Sequence, residues 1–218
     1  MFLKLIVVML AAALPAPAPS ATPHEPKTII TVISSPYCRS LADHFNGALV
    51  PMLANDRTLD GVSVQLEDLN TMFDGPNYVQ QFLHSRDAIG RQETTLNRSL
   101  PLIQAEINQL REGARLTNDP QAISQIHDAA QDLQAAYDKQ RQLSIDLHNM
   151  YFSLLQINPS RLHHTLGGFD EQDMVAPADS RNIKSYLRFN GQRDVISINE
   201  DKATDLAVTA ADKYCSPK

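Results

Sequence analysis

Apolar residues recur along three successive stretches in steps of three and four, and turn-forming residues separate the stretches. The first carries Leu41, Phe45, Ala48, Met52, Asn55, Leu59, Val62, Leu66, Leu69 and Phe73. It stops at Asp74-Gly75-Pro76-Asn77, where glycine permits a left-handed end and proline opens the next helix. The second runs through Val79, Phe82, Arg86, Ile89, Glu93, Leu96, Leu100, Ile103, Ile107, Leu110 and Ala114. After Thr117-Asn118-Asp119-Pro120 the third takes in Ile123, Ile126, Ala130, Leu133, Tyr137, Gln140, Ser144, Leu147, Tyr151 and Leu154. This spacing is that of a narrow coiled-coil seam rather than a broad amphipathic face. It predicts helices over about 36–73, 77–116 and 119–157.

Facing residues of two antiparallel helices have nearly constant index sums, which turns the pattern into a register. Phe73 with Val79, Val62 with Ile89, Met52 with Leu100 and Leu41 with Leu110 give 151 or 152. Ala114 with Ile123, Ile107 with Ala130, Leu100 with Tyr137 and Phe82 with Leu154 give 236 or 237. The middle helix uses the same positions toward both neighbours. The expected fold is therefore mainly α, an elongated antiparallel three-helix up-down-up bundle, with helices roughly 60 Å long at ~1.5 Å per residue. Pro51 and Pro101 fall at one height in this register, so a shared bend or local break is expected there. Asn55, Arg86, Glu93, Gln140, Ser144 and Tyr151 occupy seam positions and are expected to form a structural polar layer that fixes register.

Outside the stripes the pattern changes character. Met1 to Leu14 carry Lys4, an apolar run and an alanine-rich tract, the organisation of a secretory signal peptide ending near residue 21. The apolar run is short for a bilayer, so the mature chain is expected to be secreted or periplasmic and without a transmembrane segment. Residues 22–27 continue a proline-rich spacer, and Thr28 to Ile33 are β-branched enough to predict a short strand. Ser34-Ser35-Pro36 then opens the first helix. Residues 158–218 lose the period and read as a loop-rich tail, with a strand at Asp194 to Ile198 and a short final helix at Thr204 to Tyr214. Two cysteines in an exported chain predict one disulfide, Cys38 to Cys215, with the two strands meeting beside it as a small two-stranded ribbon.

Charge and composition narrow the function. The chain of 218 residues has a formal net charge of -6, and its basic residues are scattered among acids, which argues against a nucleic-acid partner. Aromatic residues make up 6% and tryptophan is absent, a composition suited to thin helix-on-helix seams more than to an aromatic-lined ligand pocket.

Three groups of residues invite a chemical reading. Ser35-Pro36-Tyr37-Cys38, after a strand and opening a helix, resembles the active-site turn of glutaredoxins and thioredoxin-like proteins; the resemblance implies thiol-disulfide exchange at Cys38. It covers four residues, Ser35 stands where the family has its first cysteine, and no βαβ core follows. His163-His164 with Asp170, Glu171 and Asp173 are irregularly spaced and fit a solvated loop better than a metal site. Glu93, Ser144 and Asn55 lie on a narrow seam with little concave volume around them. The expectation is a non-enzymatic exported helical protein, without cofactor or metal, that binds a protein or envelope partner. The alternatives are an oxidoreductase using Cys38 and a helical homo-oligomer or holdase-like chaperone.

Overall fold

The computed structural model describes residues 35–71, 77–157 and 176–215, in the last of these with side chains from Gln192 onward. Four long helices account for nearly all of it: α1 (Pro36–Thr71), α2 (Tyr78–Gly113), α3 (Pro120–Leu155) and α4 (Ala176–Tyr214). The expected signal peptide, spacer and Thr28 to Ile33 strand, together with residues 72–76 and 158–175, lie outside the described residues.

Local chemistry sets the helix starts. The Ser35 hydroxyl accepts from the Cys38 N–H at 3.1 Å, and Pro36 occupies the first helical position, where its missing N–H costs nothing. Between α2 and α3 a single 3-10 turn, Ala114–Leu116, tightens the end of α2. Asp119 then caps α3, its carboxylate accepting from the N–H groups of Gln121 at 2.8 Å and Ala122 at 3.2 Å, with Pro120 following.

The predicted seams become the core. Leu41, Phe45, Met52, Leu59, Ile89, Leu96, Ile103, Ile107, Leu110, Ile126 and Leu133 are fully buried, each such side chain contributing roughly 1.5–3 kcal/mol through removal of apolar surface from water. Side-chain contacts test the register directly. Between α1 and α2, His44 meets Glu106 and Asn55 meets Ser99, index sums of 150 and 154 around the expected 151 or 152. Between α2 and α3, Gln104 meets Gln134, Asn97 meets Ser144 and Glu93 meets His148, sums of 238 to 241. These exceed the expected values by about one helical turn at most. Side chains lean toward the N-terminus of their own helix, which moves contacts in that direction.

The tail departs from expectation. Asp194 to Ile198 is not a strand but the middle of α4, and Thr204 to Tyr214 is the last part of the same 39-residue helix. No ribbon exists among the described residues. α4 runs antiparallel to both α3 and α1: Lys213 reaches Gln121 near the start of α3, whereas Arg193 reaches Asp60 and Ser63 far along α1. The bundle therefore has four helices, up-down-up-down. α4 lies mainly against α3 and touches α1 over a narrower strip. Of the shared bend or local break expected at the prolines, the break is absent, since α1 continues through Pro51 and α2 through Pro101.

The Cys38–Cys215 disulfide closes the ring of helices, with Cα atoms 5.6 Å apart and a sequence separation of 177. Both cysteines are buried, at 0% and 1% exposure. Tyr37 and Tyr214 stack edge to face beside them with centroids 6.3 Å apart, and the Tyr37 hydroxyl donates to the Ala122 carbonyl at 3.3 Å. Burial, then the proximity of Tyr214 and Asp119, pushes the Tyr37 phenol up to about 12.

Candidate functional site

Two places concentrate chemistry: a largely buried polar layer at mid-bundle and an open groove at the disulfide end.

The layer draws on all four helices. Asn55 and Asp56 come from α1, Ser99 from α2, Gln140 from α3 and Glu200 from α4. The Ser99 hydroxyl donates to Asn55 Oδ1 at 2.7 Å, and Asn55 Nδ2 donates to Gln140 Oε1 at 3.0 Å. Gln140 Nε2 then donates to the Met52 carbonyl and to Asp56 Oδ1, both at 3.0 Å. Asn55, Gln140 and Glu200 are 2%, 0% and 4% exposed, so every donor and acceptor must find its partner within the protein. The amides do so.

The carboxyls behave differently. Glu200 and Asp56 share a hydrogen bond, and burial, followed by the charge and hydrogen bond of Asp56 and the charge of Asp201, pushes the Glu200 carboxyl up to about 10. It is therefore a neutral acid at pH 7. Asp56 is also raised by burial, against the hydrogen bonds of Glu200 and Gln140 and the Arg193 charge, which favour its ionised form. Two acids so placed hold one proton between them, because two charges at such a site cannot both be desolvated. Glu200 Oε1 is buried without a hydrogen-bond partner. Outward from this pair, the Arg193 guanidinium contacts Asp60 and Ser63 Oγ.

Of the polar seam residues expected from sequence, the structure brings Asn55 and Gln140 together and distributes the rest. Ser144 donates to Asn97 at 2.7 Å, and Glu93 accepts from Asn97 at 2.5 Å and lies 3.2 Å from His148 Nδ1. The Tyr151 ring lies against Gly90, where a Cβ would come within 2.6 Å of it. These three form successive rungs on the α2–α3 seam. Arg86 does not join them but pairs with its neighbour Asp87 at 2.8 Å. Asp56, Ser99 and Glu200 belong to the layer but escape the sequence reading. The spacing of Glu200 from Ala203, Thr204 and Ala207 is the available signal, a helical stripe made of small and polar residues.

The groove lies between the start of α1 and the end of α2, with a volume of about 490 Å³. Arg39, Ser40, Asp43 and His44 line one side, and Gln109, Glu112 and Gly113 the other. Gly113 is required by closeness, since a Cβ there would strike the Ser40 hydroxyl. At Gly47, farther along α1, a Cβ would lie 2.9 Å from the carboxyl carbon of the flexible Glu106 side chain, whose Oε2 lies 2.7 Å from His44 Nδ1. Charges of both signs and several uncommitted polar groups suit hydrogen bonding to a polar or peptidic surface.

Neither place gathers a metal-ligand set: among the described residues no three of His, Cys, Asp and Glu come together as a cation would need. His163, His164, Asp170, Glu171 and Asp173 lie outside the described residues. His84, His127 and His148 are exposed on the helix flanks. No described helix is long and apolar enough to cross a membrane. Comparison of the chain with protein-family models, with curated proteins and with solved structures gives no match in any of the three, so the reading of its function rests on the site itself.

Proposed function

We propose that the chain is an exported, non-catalytic binding module of the cell envelope or extracellular space, a disulfide-closed helical frame whose groove between α1 and α2 receives a protein partner. The observation that carries this reading is the contrast between the two polar places. The strongly perturbed groups, Glu200 and Tyr37, are buried in the interior, with Asp56 half-buried beside Glu200, while the accessible groove offers mixed charge and hydrogen bonding. That is the division of a recognition surface over a rigid frame rather than of an active site. Burial of both sulfurs weighs against the exchange reaction that the Ser-Pro-Tyr-Cys turn suggests, because an attacking thiolate needs access to one of them.

The test is site-specific photo-crosslinking. A photoreactive residue replacing Arg39, in the groove, or Lys139, on the exposed face of α3, is placed in the mature oxidised protein and irradiated with an envelope or secreted fraction. Discrete adducts are expected from position 39, competed away by unlabelled protein, and none from position 139. Equal labelling from both positions, or none from either, contradicts the proposal. An adduct of twice the chain's mass favours the homo-oligomer instead.

A further inference from the structure

Of the four joints between neighbouring helices round the bundle, the narrowest is the one between α1 and α4, and it holds an acid pair at its centre. α4 packs along α3 but meets α1 over a limited strip. Three side-chain attachments, covalent or polar, lie along that strip. At one end is the disulfide, covalent and buried. In the middle are Asp56 and Glu200, and farther along is the half-exposed contact of Arg193 with Asp60. A half-exposed ion pair of this kind is screened by water and salt, so it cannot hold the helices together alone.

We propose that the Asp56–Glu200 pair is a proton latch: with its shared proton in place it fastens α4 to α1, and on losing that proton it releases the middle of α4 while the disulfide keeps the helix end attached.

The surroundings of Glu200 explain why the proton matters. From α1 it faces Asp56, with Asp60 beyond; from α3 comes Gln140, whose amide N–H is already committed to Asp56 and to the Met52 carbonyl. From α2 comes Ser99, whose hydroxyl donates to Asn55. On α4 itself lie Asp201, which adds negative charge, and Arg193, whose guanidinium engages Asp60 and Ser63. The Gln140 and Ser99 donors are thus committed elsewhere, and Glu200 Oε1 is buried without a hydrogen-bond partner. Ionised, Glu200 would sit buried against a second carboxylate, a state that burial and like charge both oppose. Opening relieves it by exposing the carboxylate to water. The step is a proton transfer to solvent with no other reactant.

The latch is regulatory and stands independently of what the groove binds. Release follows proton linkage, so the open-to-closed ratio rises up to tenfold per pH unit while one proton is lost on opening.

Pulsed electron-spin measurements on the mature, oxidised chain test it, with nitroxides on cysteines introduced at the exposed positions Val64 of α1 and Ile198 of α4. Distances are recorded from pH 5 to pH 11 with helix content followed in parallel by circular dichroism. The expected result is one distance in acid, a longer second population growing steeply as pH approaches 10, and helix content unchanged. Glu200→Gln, a neutral isostere with a donor still aimed at Asp56, is expected to stay closed throughout. A single distance across the range in the parent, the same transition in the variant, helix loss accompanying the transition, or a Glu200→Gln chain that fails to fold would each overturn the latch.

Discussion

Single residues in this protein carry stability in proportion to what they alone satisfy. Gln140 reaches Asn55, Asp56 and the Met52 carbonyl at once. Replacing it with leucine strands several buried groups, and a loss of about 2–4 kcal/mol is expected in urea unfolding, the cost of unsatisfied buried donors and acceptors. Glycine positions separate by the same logic. Gly90→Ala drives a methyl into the Tyr151 ring and is expected to cost about 1–3 kcal/mol by overpacking. Gly47→Ala meets only the flexible Glu106 side chain, so its thermal midpoint is expected to stay level or rise, since alanine gains up to ~1 kcal/mol over glycine inside a helix. Glu200 ties stability to pH with a definite sign. Its carboxyl rises from the usual 4.5 to about 10 on folding, so in that window the native chain holds one proton more than the unfolded chain. Stability is complete below the lower value and falls as pH climbs toward the upper one, at most ~1.4 kcal/mol per pH unit from this group. Denaturant midpoints from pH 5 to pH 9 should decline in the parent chain and flatten in Glu200→Gln; parallel slopes would contradict the assignment.

The elements divide by how openly the sequence announces them. α1, α2 and α3 bury Leu, Ile, Phe and Met at heptad spacing, and the turn at Thr117 to Pro120 carries its own cap, so their existence and mutual register are legible before any coordinates. Asp119→Ala checks the cap: loss of both backbone hydrogen bonds is expected to cost about 1 kcal/mol, read as a lower thermal midpoint. α4 is illegible for a physical reason. Its inward face is Ile196, Glu200, Ala203, Thr204, Ala207, Ala210, Ala211 and Cys215, small or polar at nearly every step. Small side chains let α4 approach α3, whose Ala122, Ala129, Ala130 and Ala136 are also buried, but they leave little hydrophobic period to detect. Ile198, 53% exposed, stands two residues from the buried Ile196, and it is this alternation that imitates a strand. Missing α4 also hides half of the polar layer: Asn55 and Gln140 are in view, whereas the significance of Asp56 depends on Glu200. At the prolines the local break does not occur, since packing carries both helices past positions that would interrupt an isolated one.

At the scale of the molecule, four helices of 36 to 39 residues form a long frame whose first and last helices are joined by sulfur. A link across 177 residues removes much of the freedom of the unfolded chain, worth up to ~5 kcal/mol in the chain-entropy model. The rigid frame, the proposed binding groove beside the bond and the proposed tethered opening of α4 all presuppose a buried structural tie and not an exchanging thiol pair. Its direct test follows reduction and alkylation of the mature folded protein by mass spectrometry alongside circular dichroism. A Cys38–Cys215 cross-linked peptide is expected without reductant, with alkylation under mild reductant no faster than the loss of helix. Free Cys38 in the untreated protein, or its rapid alkylation while the helices remain intact, would contradict the structural role of the bond and return the chain to thiol chemistry.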